Sequence, residues 1–205
     1  MCTESLNGLC LPVKGIRVNG AFELLSPRLR LRRLRADDAA AICAYRSLPE
    51  VARFQSWTSF TLDDAARLIA EQARTLPNTP GTWVQLALTT LDNGEIIGDC
   101  GIHFLEDDER QVDLGISLAP AYQGRGLAAE ALTRVLWYVF DVLDKHRARA
   151  VADAENHRSA NLFRRLGFRQ EAHFVNSVWF KGAWGSEFVF ALLKREWQVA
   201  AQTPR

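Results

Sequence analysis

From Leu29 onward the chain settles into readable periods. Leu29, Leu31 and Leu34 are interleaved with arginines, a strand pattern that ends at Ala36-Asp37-Asp38, where an aspartate is placed to cap a following helix. Helical spacing then runs through Ala39, Ile42, Cys43 and Arg46 and stops before Pro49. A second helix starts at Thr61-Leu62-Asp63-Asp64 and continues through Ala65, Leu68, Ile69 and Gln72. Residues 83–91 and 95–104 are apolar-rich runs split by Asp92-Asn93-Gly94, a turn sequence that favours positive φ and predicts a hairpin. After the acidic turn Glu106 to Glu109, the segment Gln111 to Leu118 puts Val112, Leu114, Ile116 and Leu118 on one face and Asp113, Gly115 and Ser117 on the other. Three consecutive antiparallel strands follow from this pattern.

Beyond Pro120 the period changes. Ala128, Ala131, Leu132, Val135, Leu136, Val139 and Leu143 predict an amphipathic helix of about four turns. A strand at 147–154, a helix at 159–166 ended by Gly167, and two strands at 172–180 and 184–193 joined by Lys181-Gly182 complete a mixed α/β order. Residues 1–25 show no sustained period and read as a tail or an added strand, 26–198 as one domain, and 199–205 as a second tail.

Composition narrows the function classes. The 25 basic and 24 acidic residues nearly cancel, so no global field advertises a nucleic-acid or membrane partner, and a small polar substrate fits better. Cys2, Cys10, Cys43 and Cys100 have no paired spacing, which argues against a metal site or a disulfide framework and for reduced thiols. No apolar run approaches the ~18 residues of a membrane span, and the expected location is cytoplasmic.

The chemistry-bearing segment is Gln123-Gly124-Arg125-Gly126-Leu127-Ala128, between an alternating strand and the long helix. Glycines there let backbone approach a ligand, the first-turn N–H groups and helix dipole favour phosphate oxygens, and Arg125 adds a permanent charge. Gly124-x-Gly126-x-x-Ala129 also matches a dinucleotide fingerprint. However, the preceding strand is half polar and only about 80 residues remain, too few for a doubly wound sheet. No Gly-Lys-Ser/Thr follows to make a mononucleotide loop.

Gln123-x-x-Gly126-x-Ala128, entering a long helix, resembles the Q/R-x-x-G-x-G/A signature of the GCN5-related N-acetyltransferases (GNAT). Further segments are similar to the RimJ/RimL type, the ribosomal-protein N-terminal acetyltransferases. They include Leu29-x-Leu31-Arg32-x-Leu34, Ile97-Gly98-Asp99-Cys100-Gly101, Leu114-Gly115-Ile116, Asn156-x-x-Ser159-Ala160-Asn161, Leu166-Gly167-Phe168 and the closing Leu192 to Trp197. The resemblance implies an α/β (α+β) fold: a mixed, mostly antiparallel central sheet, flanked by helices and splayed between the family's strands 4 and 5. Here those are the strand Gln111 to Leu118 and the parallel strand at 147–154.

The same resemblance implies acetyl-CoA as cosubstrate. Its pyrophosphate would lie on the backbone of Gln123, Gly124, Arg125, Gly126, Leu127 and Ala128, and its pantetheine arm would pair with Ile116, Ser117 and Leu118 like an added strand. Asn156 would touch the arm and Ser159 would lie near the sulfur, as the catalytic pair, with Asn161 and Phe163 also on the cofactor side. Phe163 takes the place of a tyrosine that protonates the thiolate in other branches. A thiol of pKa near ~8.5 tolerates that loss, and an α-amine of pKa near ~8 needs little help from a base.

Trp57, His103 and Asp113 are the candidates for binding the acceptor, a small-molecule or peptide amine. Trp57 reads first as a lid on the core, and His103 as a hydrogen-bonded strand residue. Exposed aromatic residues on the last strands would suit a homodimer. The expected function is acetyl transfer to a primary amine by direct attack in a ternary complex. The alternatives are a noncatalytic acyl-CoA-binding or regulatory module of the same fold, which Phe163 makes thinkable, and a nicotinamide-dependent enzyme.

Overall fold

The computed structural model describes residues 5–6, 9–10 and 22–202. Two short strands, β1 (Ser5–Leu6) and β2 (Leu9–Cys10), pair antiparallel. The main sheet has eight strands: β3 (Glu23–Leu25), β4 (Leu29–Arg33), β5 (Trp83–Thr90), β6 (Ile96–Phe104), β7 (Gln111–Leu118), β8 (Arg147–Asp153), β9 (Arg169–Phe180) and β10 (Ala183–Leu193). Their spatial order is β3, β4, β5, β6, β7, β8, β10, β9. Only the β7–β8 contact is parallel. The added-strand reading of residues 1–25 applies to Glu23–Leu25, where Leu24 is fully buried opposite Leu31.

One face of the sheet carries α1 (Ala39–Arg46) and α3 (Leu62–Arg74), with α2 (Pro49–Ala52) between them. Leu34, Ile42, Tyr45, Val51, Ala65, Ile69 and Ala87 form the core under them. The other face carries α4 (Leu127–Trp137) and α5 (His157–Arg165), packed over Leu86, Leu88, Ile102, Leu114 and Phe190, with Phe163 of α5 in the same core. Leu132 and Leu136 of α4 are wholly buried, each contributing about 2 kcal/mol on removal from water. A final helix, α6 (Lys194–Gln202), seats Trp197 in the same core.

Local chemistry sets most of the boundaries. Thr61 and Asp64 form a reciprocal capping box at the start of α3. Gly94, at φ 74, closes the β5–β6 loop, and Lys181 and Gly182, at φ 51 and 87, make the two-residue turn between β9 and β10.

Several expectations need correction. Asp38 does not cap α1 with its side chain. Its carboxylate turns back to the Arg35 N–H and, bidentately at 2.7 Å, to the buried Arg32 guanidinium, a stronger partner than a neutral N–H. α1 stops before Pro49 as expected, but the chain re-enters helix there, because proline at the first position of α2 starts a further turn where its missing N–H costs nothing. The long helix loosens after Trp137 into a π turn in which the Leu143 N–H reaches Tyr138 O. α5 begins at His157, since Asn156 rather than a later residue caps it. α6 was not expected at all. No helix among the described residues is long and apolar enough to cross a membrane.

Candidate active site

The sheet opens where β7 leaves β8. Only Gln111, Val112 and Asp113 pair with Arg147, Ala148 and Arg149, so Leu114–Leu118 runs on with that edge free of β8 for about 16 Å. The other edge of β7 stays in register with β6 through Leu118, opposite Gly98. A Cβ on Gly98 would lie 2.2 Å from Ser117 O, so only glycine permits this approach. Ile116, Ser117 and Leu118 therefore offer an extended edge at the opening, as a strand-like ligand needs.

The glycine loop stands at the open end. A 3-10 turn, Pro120–Tyr122, leads into Gln123, and Gly124 and Gly126 adopt φ 74 and 78, conformations that glycine enters without cost. Gly126 caps α4 and brings no side chain to do so. The first helical bond is from Glu130 N–H to Gly126 O, which leaves the N–H groups of Leu127, Ala128 and Ala129 outside the ladder. A Cβ on Gly124 would meet nothing within 4 Å, so the loop is open to a ligand.

Side chains brace this loop. Gln123 donates to Leu118 O at 3.0 Å and accepts from Arg158 at 2.7 Å, tying the end of β7 to α5. Arg28 donates to Arg125 O at 3.2 Å and pairs with Glu130, whose buried carboxylate also accepts from Ser26 and the Arg28 N–H. The Arg125 guanidinium is exposed and rests 5.6 Å from the Tyr122 ring. Three guanidiniums, from Arg28, Arg125 and Arg158, thus stand around the helix N-terminus, with Glu130 and, through Tyr122, Glu95 as the nearby carboxylates, and this cationic surplus suits phosphates. Arg28 and Arg158 escaped the sequence reading. Arg158 adjoins the quoted Asn156 motif, but nothing in the sequence signals Arg28.

On the far side of the opening, Asn156 caps α5 by accepting from the Ser159 N–H at 3.1 Å. Its amide N–H groups and the half-buried Ser159 hydroxyl have no protein partner among the described residues. Asn161 is exposed and accepts from Arg164 at 3.3 Å, on the solvent side of α5. Phe163 is buried to 2% exposure against Phe168 and Phe190, so it serves as core packing beneath the site.

The acceptor candidates lie on the α1/α3 face. Register puts Trp83, His103, Asp113 and Arg149 side by side at the closed end of the gap. The Trp83 and His103 rings stack at 4.8 Å, His103 Nδ1 is 3.6 Å from Asp113, and Asp113 receives two bonds from Arg149 at 2.7 and 3.0 Å. Asp113 is therefore already neutralised. Next along the strands Gly101 faces Gly115; the Trp83 ring and the Gln85 side chain cover Gly101, while a Cβ on Gly115 would meet nothing, which leaves a trough over Gly115 walled by Trp83 and Gln85.

Beyond the trough, Asp99 is buried and holds Tyr45, Arg46 and Gln85. Burial, then the Asp99 charge, pushes the Tyr45 hydroxyl well above its ordinary pKa, so it remains a hydrogen-bond donor. Trp57 is half-buried. Its indole N–H donates to Arg46 O at 3.0 Å and its ring covers the Arg46 guanidinium at 4.6 Å, so it walls the trough through Arg46.

Comparison with known proteins agrees with this geometry. Residues 28–169 match the family description Acetyltransferase (GNAT) domain. A Bacillus licheniformis protein, the uncharacterized N-acetyltransferase p20, is 30% identical over 174 residues, 85% of this chain and 97% of that one. The [ribosomal protein uS5]-alanine N-acetyltransferase of Escherichia coli K12 is 34% identical over 118 residues, 57% of this chain and 61% of its own. The crystal structure of a GNAT-family acetyltransferase from Bacillus anthracis superposes with a TM-score of 0.76 at 22% identity, covering 85% of this chain and 99% of that one. With its splayed sheet, its glycine loop at a helix N-terminus and this match across most of its length, the chain belongs to the GNAT family of N-acetyltransferases.

Proposed function

We propose that this protein transfers the acetyl group of acetyl-CoA to the α-amine of a peptide N-terminus, in the manner of the RimJ/RimL type. The observation that carries the reading is the divergence of β7 from β8 directly beside the N-terminus of α4, where no side chain caps the free N–H groups. Acetyl-CoA supplies an activated acetyl thioester. The free N–H groups of Leu127 and Ala128, with Gly124, Gly126 and the three guanidiniums, bind its phosphates. The edge of Ile116 to Leu118 and the Asn156 amide orient its arm, and the Ser159 hydroxyl is placed to hydrogen-bond the departing thiolate. The amine nitrogen bonds to the acetyl carbon as the carbon–sulfur bond breaks, and the proton the nitrogen loses ends on the thiolate, giving an amide and the free thiol of coenzyme A.

Among the described residues, neither Asp113 at the closed end of the trough nor Asp99 beyond it is spare to act as a base. Asp99 is held by Arg46 and Asp113 by Arg149. An acceptor that is already substantially neutral near pH 7–8 is favoured, and an α-amine of pKa near ~8 meets this where a lysine near ~10.4 does not. One observation favours a second reading, a polyamine. Asp153 and Glu187 stand directly opposite each other on β8 and β10, on the acceptor face, with no basic partner among the described residues. Like charges so placed repel unless a cation lies between them. The free thiols Cys43 and Cys100 accord with a cytoplasmic setting.

The test has two stages. Acetyl-CoA at ~100 times its dissociation constant should stabilise the fold by about 2.7 kcal/mol, with no effect from NADH. Thiol release is then followed with an alanine-initiated peptide amide, the same peptide blocked at its α-amine but carrying lysine, and spermidine. Turnover confined to the free α-amine supports the reading, and turnover on spermidine alone replaces it with the second. Binding without turnover on any amine would indicate a noncatalytic acyl-CoA-binding module.

A further inference from the structure

The segment between α2 and α3, Arg53 to Phe60, arches across the mouth of the gap and is tied at both sides. On the β7 side the Gln55 amide donates to Ser117 Oγ at 3.1 Å. On the β8 side Arg53 pairs with Glu155 at 2.8 Å, one residue before Asn156. The third tie comes from the far end of the chain. Lys181, in the β9–β10 turn, donates from Nζ to Ala52 O at 2.5 Å and to Trp57 O at 2.6 Å, across more than 120 residues of sequence.

Each tie has a different character. Arg53 and Glu155 are both largely exposed, so their pair is screened and contributes little. Gln55–Ser117 is a neutral bond at the very edge where the coenzyme arm would pair. The lysine makes charge-assisted bonds to two carbonyls, one of them the last residue of α2, where the helix dipole favours a cation. The turn that presents it is unusual for a lysine. φ of 51 at Lys181 belongs to a conformation that asparagine or glycine enters more readily, and an ordinary side chain held there points to a role for that side chain. Held in this way, the arch carries Trp57 onto Arg46, and so reaches Asp99 beyond the trough.

We infer that Lys181 is a positioning residue for the amine acceptor: from the β9–β10 tip it latches the Arg53–Phe60 arch over the opening, so that Gln55 and Trp57 form the acceptor-side wall. The inference rests on the acetyl-transfer reading above. It predicts a division of labour, with the glycine loop deciding affinity for acetyl-CoA and the latch deciding affinity for the amine.

The experiment compares the full chain with Lys181→Met, which keeps the aliphatic stem and loses the charge, and with Lys181→Arg. Hydrogen exchange of residues 53–60, acetyl-CoA affinity by titration, and kcat and KM for the alanine-initiated peptide amide and for spermidine are measured. For Lys181→Met, exchange in the arch should rise at least tenfold and KM for the working amine at least fivefold. Acetyl-CoA affinity should stay within twofold, and Lys181→Arg should restore most of the loss. Unchanged arch exchange, or an acetyl-CoA affinity that falls as much as the amine KM rises, would overturn the inference. If the unsubstituted protein turns over no amine, acetyl transfer itself fails, and the exchange difference alone decides whether the latch exists.

Discussion

Replacing Gly115 separates the trough from the fold more cleanly than any other substitution. Gly115 lies in the middle of β7 with Gly101 opposite, its φ is not in the left-handed region, and a Cβ built on it meets nothing within 4 Å. Glycine inside a strand costs roughly 0.5–1 kcal/mol relative to alanine, so Gly115→Ala should be stabilising. At 2–4 °C per kcal/mol for a chain of this length, that is a rise in Tm of about 1–4 °C. Gly115→Val should keep that gain, because β-branched residues suit strands. Its side chain nevertheless fills the space that, in the proposed reaction, the amine crosses to reach the thioester. Displacing a reacting group by about 1 Å costs on the order of 100-fold, so kcat/KM for the amine should fall by about that factor for valine and less for alanine. The phosphate cradle, at the other end of the free edge, should leave acetyl-CoA affinity within threefold. Thermal melts, coenzyme titration and thiol-release kinetics read the three quantities. A valine variant with raised Tm and full kcat/KM would show that acceptors do not cross this trough. Gly98→Ala supplies the contrast, since its Cβ would collide with Ser117 O and the clash should cost about 3 kcal/mol of stability.

Glu130→Ala removes the carboxylate that gathers Ser26, the Arg28 N–H and the Arg28 guanidinium; it should cost about 2–3 kcal/mol in a denaturant titration and weaken acetyl-CoA binding by freeing Arg28 from the loop. Phe163→Tyr should not raise kcat, because the ring is buried against Phe168 and Phe190, and stranding a hydroxyl there should cost about 1–3 kcal/mol; a higher kcat would mean that the ring edge reaches the sulfur. Hydrogen bonds from Arg147 and from Thr61 hold the Glu171 and Asp64 carboxyls below their ordinary values. With folded pKa values depressed, the stability they lend is present above the ordinary carboxylate range and lost as pH falls through the folded values. Glu171→Gln should flatten the acid limb of a plot of Tm against pH, and an unchanged limb would count against this account.

The elements whose chemistry is local were legible from the chain. The alternation of Gln111 to Leu118 is β7 to the residue, the Thr61–Asp64 capping box starts α3, and Gly94, Gly126 and Gly167 stand at positive φ where a loop or helix end needs them. In each case the cause lies within a few residues. The same holds for the glycine loop, whose meaning came from a strand before it and a helix after it. α2 and α6 were missed because one begins across a proline read only as a stop and the other follows directly on a strand without a capping residue.

The amino-acid sequence by itself determined the glycine loop and the free N–H groups at the start of α4, the proposed phosphate cradle, since backbone N–H groups at a helix N-terminus need only glycines and helical periodicity nearby. Tertiary structure alone decided the acceptor side. Asp113 is paired with Arg149, 36 residues away, Phe163 is a core residue because Phe168 and Phe190 close on it, and the arch is held by a lysine more than 120 residues distant. Charges and rings act on whatever the fold brings within a few ångströms, and for these residues chain spacing carries no record of that distance.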